Sequence, residues 1–184
     1  MPQVLKDEIR ESILSAARAE FYKKDYQSAT MRGIAAAAHI PTGLIYSYYK
    51  NKRALLDEVL RPVCYDWKVV LGTDEGNHPD TSKLSTAERD CILSLFEHRQ
   101  EFIIMVDKSH GTDYQGQKKE MIGVIESHLN KHLSEKKYDS VLIHIIATNF
   151  VEGLLQIMYH YKNKEWAITM LDKITKMYFS GIGL

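Results

Sequence analysis

The chain has 184 residues, 45% hydrophobic and 26% charged, a balance typical of soluble globular proteins and unlike that of disordered chains. No apolar run approaches the ~18–20 residues that cross a bilayer, and the charged N-terminus lacks the apolar core of a signal peptide. No membrane partner is therefore predicted. The two cysteines, Cys64 and Cys91, are far apart and predict reduced thiols in a cytoplasmic protein.

Charge is distributed unevenly along the chain although its formal net value is zero. Residues 1–62 contain ten Lys/Arg and seven Asp/Glu, a net charge of +3. Residues 63–184 contain fourteen and seventeen, a net charge of −3. The distribution of charge matters more than its sum, and a basic N-terminal part has the sign that nucleic-acid binding requires.

The low content of Pro and Gly and the scarcity of alternating apolar residues predict an all-α fold. A first amphipathic helix is predicted over residues 7–22 and should end near Asp25, which tolerates a left-handed conformation. Its apolar stripe is formed by Ile9, Ile13, Ala17 and Phe21.

Two short helices with a tight turn between them are predicted next. Thr30 is a suitable N-cap for a helix over residues 31–38, because its hydroxyl can accept a hydrogen bond from an unsatisfied backbone N–H. Pro41 favours the first turn of the following helix, which runs to about Tyr48.

The rest of the chain is predicted to be helical with two breaks. A long helix spans residues 52–71, with a possible kink at Pro62, and a loop spans residues 72–83. One helix, capped by Ser85 or Thr86, carries apolar residues as far as Val106. After a break at residues 111–116, the remaining helices are predicted over residues 118–134, 139–161 and 164–179, of which the second should be buried on more than one face.

The stretch from Thr30 to Leu55 has the pattern of a helix-turn-helix. Ala35 is small where the second helix must cross the first, and His39 stands in the turn, where a positive φ is usual. Ile40 and Ile45 follow as core residues. The second helix of such a unit lies in the major groove of DNA with its N-terminal residues against base edges.

These residues resemble the tetracycline-repressor (TetR) family of bacterial transcription regulators over about the first 60 positions. The chain departs from the family pattern at His39, where the family often has Gly, and at Pro41, where a small polar residue is common. It also has Asp25 for a frequent Gly and Tyr48 for a common His. The matching residues are Ile13, Ala16, Ala17, Phe21, Thr30, Ile34, Ala35, Ala38, Gly43, Ile45, Tyr46, Tyr48, Tyr49, Asn51, Lys52 and Leu55.

The resemblance implies a set of DNA contacts and a buried role for Tyr49. Arg32 would contact a guanine edge or a phosphate, and the remaining contacts would be made by the start of the reading helix and by phosphate-binding side chains. The full predicted set is Thr30, Arg32, Thr42, Gly43, Leu44, Tyr46, Tyr48 and Lys52.

The resemblance also implies two domains, a DNA-binding domain over residues 1–51 and a helical effector-binding and dimerisation domain over residues 52–184. The protein would be a homodimer that binds a palindromic operator and is released by a small-molecule effector. Predicted pocket residues are Trp67, Phe96, Phe102, Met105, Tyr114, Met121 and Phe150. Predicted dimer-interface residues are Phe150, Leu154, Met158, Trp166, Met170 and Ile174.

Other functions have weaker support in the sequence. His128 and His132 have a spacing that can hold a metal, but no third ligand accompanies them, so neither a metal nor a cofactor is predicted. The sequence has no phosphate-binding loop, nucleophile elbow or paired-carboxylate motif, so an enzyme is not predicted. The near-zero net charge and Pro41 leave one alternative open, a helical protein-interaction module that kept the fold but lost DNA reading.

Overall fold

The structure, a computed structural model, describes the backbone of residues 3–63, 86–132 and 138–180. In those ranges every regular element is a helix, which confirms the predicted all-α fold. Cys64, Trp67, the end of the predicted helix over residues 52–71 and the predicted loop over residues 72–83 lie outside the described residues.

The chain divides into two compact units. The first contains Met1–Cys64 and Gln100–Gln115, and the second contains Tyr65–Arg99 and Gly116–Leu184. Residues 100–115 therefore fold with the N-terminal helices although they follow a stretch of the second unit. These units reflect packing alone, so the predicted functional boundary after residue 51 stays a prediction.

Helix α1 spans Gln3–Ser28 and is interrupted at Asp25, which has φ 70° and ψ 171°. The expected positive φ is therefore present, although one more turn follows it. The Asp25 carboxylate caps this turn by accepting a hydrogen bond from the Ser28 N–H at 2.8 Å. This bond is the main reason why the pKa of Asp25 is lowered.

Helices α2, Met31–Ala37, and α3, Thr42–Tyr48, lie where the sequence predicts them. The Thr30 hydroxyl oxygen caps α2 by accepting a hydrogen bond from the Gly33 N–H at 3.0 Å. Pro41 is the N-cap residue of α3, and its fixed φ of −60° suits that position. These local signals explain why the two short helices could be predicted closely.

The turn between α2 and α3 is closed by backbone hydrogen bonds around His39, whose φ is 56°. The His39 N–H donates to the Ala36 carbonyl at 3.1 Å, and the Ile40 N–H donates to the Ala35 carbonyl at 3.0 Å. The expected left-handed residue is confirmed, and it reverses the chain between the helices.

Replacing His39 with Gly should stabilise the N-terminal unit by roughly 0.5–1 kcal/mol, because Gly adopts this φ without steric strain. The measurement is the free energy of unfolding in urea. The control is Gly at Ala36, an exposed residue inside α2, where Gly should destabilise by about 1 kcal/mol. Destabilisation by His39→Gly as well would contradict the strain argument.

Helix α4 spans Lys52–Leu60, after Asn51 caps it by accepting a hydrogen bond from the Ala54 N–H at 2.8 Å. The α-helix then gives way to a 3₁₀ turn over Arg61–Val63. Pro62 lacks an N–H donor, so the α-helical hydrogen bonding cannot continue through it. The irregularity expected at Pro62 is therefore present as a change of helix type.

The single helix expected from Ser85 or Thr86 to Val106 is wrong, because the chain forms two helices there. Helix α5 spans Thr86–Glu97 and helix α6 spans Arg99–Asp107. At the break, the Arg99 guanidinium lies 3.5 Å from the Phe96 carbonyl and 4.5 Å from the centre of the Tyr161 ring. The apolar pattern is continuous through this break, so the pattern alone could not reveal it.

Helix α6 packs into the N-terminal unit. Residues 102–106 are all buried, and the nearly buried carboxylate of Glu101 pairs with Arg18 of α1 at 3.2 Å. The Tyr26 N–H, in the last turn of α1, donates to the Lys108 carbonyl at 2.8 Å. The residue that follows α6 is thus hydrogen-bonded directly to the turn that precedes α2.

In its described residues, the second unit contains α5 and three further helices, α7 (Gln117–His132), α8 (Ser140–Tyr159) and α9 (Lys164–Thr175). Helix α9 is followed by a π-helical turn over Lys176–Ser180. Helices α7 and α8 run antiparallel, since Lys118 pairs with Glu152 at 2.8 Å and Glu126 pairs with His144. A Cβ added to Gly153 on α8 would lie 3.3 Å from Ile174, so α8 and α9 pack closely there.

Helix α8 is slightly shorter than the predicted 139–161, but it is more apolar than expected, since no stretch of membrane-spanning length was predicted. Within its 20 residues, an 18-residue stretch reaches a mean hydropathy of 1.6, enough to cross a membrane by length and composition alone. Half of that stretch is buried inside the structure, as expected of a core helix in a soluble protein. One such helix does not indicate a membrane protein.

Candidate nucleic-acid interface

The inner faces of α2 and α3 form one core with α1. Phe21, Ile34, Ala35 and Ile45 are fully buried, and Tyr49 is buried just beyond the end of α3. Ile40, in the turn, is half-buried. This packing confirms the core positions expected for Ala35, Ile45 and Tyr49 and fixes which side of α3 faces outward.

The outward side of α3 carries the residues that were predicted to read DNA. Thr42, Gly43 and Tyr46 are exposed, with Tyr46 at 52%, while Leu44 and Tyr48 are half-buried. Apart from its chain neighbours and the backbone of its own helix, no atom lies within 4 Å of where a Cβ on Gly43 would stand. The fold therefore does not require glycine at this position, and the space above it is open to a partner.

Two further predicted contacts precede α3. Arg32 is exposed on α2, so its guanidinium is accessible. The Thr30 hydroxyl oxygen is the acceptor of the α2 cap, which leaves its hydrogen available as a donor. Both side chains are thus compatible with phosphate or base contacts.

The structure gives Lys52 partners within the protein. Its Nζ lies 2.6 Å from the Tyr26 carbonyl oxygen, 2.8 Å from that of Ala29 and 3.3 Å from that of Gln27. The same atom is 4.4 Å from the centre of the Tyr26 ring. Burial lowers the pKa of Lys52, and the charge of Asp25 opposes that shift.

Two exposed residues of this surface were missing from the predicted contact set. Ser47 is exposed on α3, four residues after Gly43 and therefore on the same helical face. Lys50 is exposed two residues beyond the end of α3. The signal for Lys50 in the sequence was its position two residues before Lys52, which was the only one of these two lysines predicted to contact DNA.

An ionic cluster joins α4 to the loop after α6 within the N-terminal unit. The Arg53 guanidinium donates to Asp57 at 2.8 Å, pairs with Asp113 at 2.8 Å and lies 4.9 Å from the centre of the Tyr114 ring. The Tyr114 hydroxyl donates to Asp57 at 3.0 Å. Nearby carboxylates raise the pKa of Arg53, chiefly through the Asp57 hydrogen bond.

The predicted pocket residues are distributed over both units. Phe102 and Met105 are buried in the N-terminal unit, where Tyr114 contacts α4 as described above. The second unit buries Phe96, Met121 and Phe150, and Trp67 lies outside the described residues.

The predicted dimer-interface residues divide into two groups. The three on α8, Phe150, Leu154 and Met158, are 2–4% exposed and pack the core of a single chain. The three on α9, Trp166, Met170 and Ile174, are partly exposed. Large apolar side chains that remain exposed in this unit are Val141, Leu142, Ile145 and Met177.

The N-terminal helices are similar to a known family. Residues 13–59 match the family model described as bacterial regulatory proteins, tetR family. The match covers α1 from its fully buried Ile13, the α2–α3 pair and nearly all of α4. It thus includes the whole of α3 with its exposed face.

The curated relatives are described as HTH-type transcriptional regulators. An uncharacterized HTH-type transcriptional regulator of Bacillus subtilis, YxbF, is 28% identical over 116 residues, which are 60% of this chain and 28% of that protein. The chain spans less than half the length of the curated relatives it matches.

Solved structures share the fold across both units. NalD of Pseudomonas aeruginosa, described as the secondary repressor of the MexAB-OprM multidrug efflux pump, has a TM-score of 0.58 at 16% identity, covering 97% of this chain and 98% of its own. A Clostridium perfringens putative fatty acid metabolism regulator has a TM-score of 0.59 at 21% identity, covering 94% and 99%. At such identities the likeness establishes the fold alone.

Proposed function

We propose that this chain, which belongs to the tetR family of bacterial regulatory proteins, is a homodimeric repressor that binds a palindromic operator and leaves it when a small molecule binds. Its matched relatives are transcriptional regulators and not enzymes. The observation that best supports DNA reading is the exposure of α3. Its inner face is buried, while its outer face is exposed and open above Gly43.

The proposed DNA surface consists of the start and outer face of α3 with two residues from around α2. Thr42, Gly43 and Leu44 would face base edges, since the first residues of a reading helix enter the major groove. Tyr46 and Tyr48 would donate to phosphates and set the register of the helix. Thr30 and Arg32 would contact the flanking backbone or a guanine edge.

A homodimer is proposed because one reading helix contacts only a few base pairs, while two related by a two-fold axis read a palindrome. The apolar side chains exposed on α8, together with Trp166, Met170 and Ile174 on α9, are the proposed contact. Phe150, Leu154 and Met158 are left out of it, since they already pack the core of one chain.

Release by a small molecule requires that the molecule bind the DNA-free arrangement better than the DNA-bound one. The described residues that remain candidates for the effector site in the second unit are Phe96, Met121 and Phe150. NalD is described as a repressor, which supports repression as the proposed role of this chain. A cytoplasmic location follows from an operator as the target.

Replacing Arg32 with Ala should lower the affinity for an operator selected from random duplex DNA by about ten- to a hundredfold, since a charged bidentate contact is worth ~1–3 kcal/mol. The measurement is fluorescence anisotropy with labelled duplex. The control is Arg61→Ala, which removes an exposed arginine at the end of α4.

The control protein should bind as the natural chain does. Unchanged affinity on replacing Arg32 would remove this residue from the proposed surface. Absence of any salt-dependent DNA binding by the natural chain would favour a helical protein-interaction module instead.

A further inference from the structure

Two lysines, Lys50 and Lys52, flank Asn51 between α3 and α4, and the structure places them in different environments. Lys50 is exposed, and among the described residues no hydrogen bond or ion pair involves its ammonium group. Lys52 is half-buried, with its ammonium group turned toward the end of α1. Only one of these two charges is free to approach DNA in this arrangement.

The ammonium group of Lys52 has three N–H donors and three carbonyl acceptors around it. The oxygens of Tyr26, Gln27 and Ala29 lie 2.6, 3.3 and 2.8 Å from Nζ. These carbonyls belong to the last turn of α1 and to the residue just before Thr30, where the helix itself supplies no donor. Lys52 therefore caps the end of α1 from α4, and a phosphate would have to displace those carbonyls.

This cap bears directly on the reading helices because the turn it holds leads straight into α2. Ala29 is fully buried and is followed by Thr30, which caps α2. The same turn is held on another side by the hydrogen bond from Tyr26 N–H to the Lys108 carbonyl. Lys52 thus links the start of α4 to the segment that leads into α2. Helix α3 lies between α2 and α4 in the chain, so this link restrains the elements on both sides of it.

We propose that Lys52 is a positioning residue that fixes α2 and α3 relative to α4, and that Lys50 supplies the phosphate-neutralising charge at the end of the reading helix. This inference rests on the proposed DNA-binding function. It reverses the assignment made from sequence, in which Lys52 was the phosphate contact and Lys50 had no role.

The two roles are separated by the salt dependence of DNA binding. Each phosphate contact that is lost reduces the slope of log K against log salt by about 0.9, or about two for a homodimer that loses one contact in each protomer. A residue that only positions the reading helices leaves this slope unchanged. Its loss instead lowers affinity by a similar factor at every salt concentration and destabilises the fold.

The experiment compares Lys50→Met and Lys52→Met, which keep the aliphatic side chain and remove the charge. Affinity for the selected duplex is measured from 50 to 300 mM KCl, and Tm is measured without DNA. We expect Lys50→Met to reduce the slope by about one to two and leave Tm unchanged. We expect Lys52→Met to keep the slope, lower affinity about three- to tenfold, and lower Tm by roughly 5–10 °C.

A reduced slope for Lys52→Met with unchanged Tm would overturn the inference and restore Lys52 as a phosphate contact. An unchanged slope for Lys50→Met would overturn the role given to Lys50. If Lys52→Met unfolds, Lys52→Arg provides the second readout, because it keeps the charge but does not fit three carbonyls around one nitrogen. It should lower Tm and retain the slope, and an unchanged Tm would contradict the cap.

Failure of the proposed function itself would look different. The natural chain would then show no salt-dependent binding to any selected duplex, whereas Lys52→Met would still lower Tm.

Discussion

Replacing Gly43 with Glu should abolish operator binding, with a loss of at least about a hundredfold (~3 kcal/mol), while the fold keeps or gains stability. No atom lies within 4 Å of the added Cβ, so the side chain extends into open space. A carboxylate there would face the phosphates and base edges proposed for the front of α3, and it would repel the charged backbone of DNA. Opposite signs for stability and binding make this substitution informative.

The stability gain has two sources. Gly inside a helix is less favourable than other residues by roughly 0.5–1 kcal/mol, and a carboxylate in the first turn of a helix is favoured by about 0.3–1 kcal/mol. Gly43 is the second residue of α3, so both apply. Thermal unfolding without DNA should therefore show an unchanged or higher Tm.

The chain offers a matched control for this prediction. Gly123, on α7, also has no atom within 4 Å of an added Cβ. Replacing it with Glu introduces the same charge on the other unit and should leave operator affinity unchanged. Equal losses for both variants would show that net charge, and not the α3 surface, governs binding.

Two neighbouring residues of α3 should show opposite effects when each is replaced with Ala. Ile45 is fully buried, so Ile45→Ala should lower the free energy of unfolding by about 2–5 kcal/mol through lost burial and a cavity. Tyr46 is 52% exposed, so Tyr46→Ala should change stability by only about 0.5 kcal/mol. Urea denaturation measures both.

The ranking should reverse for DNA binding under conditions where both variants are folded. Tyr46→Ala should lower operator affinity at least about tenfold through a lost phosphate contact. The folded fraction of Ile45→Ala should bind the operator nearly as tightly as the natural chain does. A large loss of stability from Tyr46→Ala would show that this side chain supports the fold and is not a DNA contact.

The parts of the fold that the sequence predicted correctly depend on local signals. Thr30 as a cap, His39 in the turn and Pro41 before α3 act on residues at most a few positions away, so their roles are visible in the sequence. The buried side of α3 could be predicted for the same reason, because Ile45 and Tyr49 lie one helical turn apart.

The contacts that the sequence did not reveal depend on distant residues. Lys52 contacts carbonyls more than 20 positions earlier, and Tyr114 bonds to Asp57 across 57 positions. Neither partner is marked by periodicity, and both side chains look like ordinary surface residues in the sequence. Which apolar residues of α8 face the core also depends on where α7 and α9 pack, so Phe150 and Leu154 were assigned to an interface although they fill the core.

Selection of duplex DNA from a random pool by the full chain is the most direct test of DNA reading by α3. We expect enrichment of one two-fold symmetric sequence, bound at least about a thousandfold more tightly than unrelated duplex at physiological salt. That preference should be lost in Gly43→Glu and kept in Gly123→Glu. Enrichment of no sequence, or equal affinity for the enriched and unrelated duplexes, would contradict it.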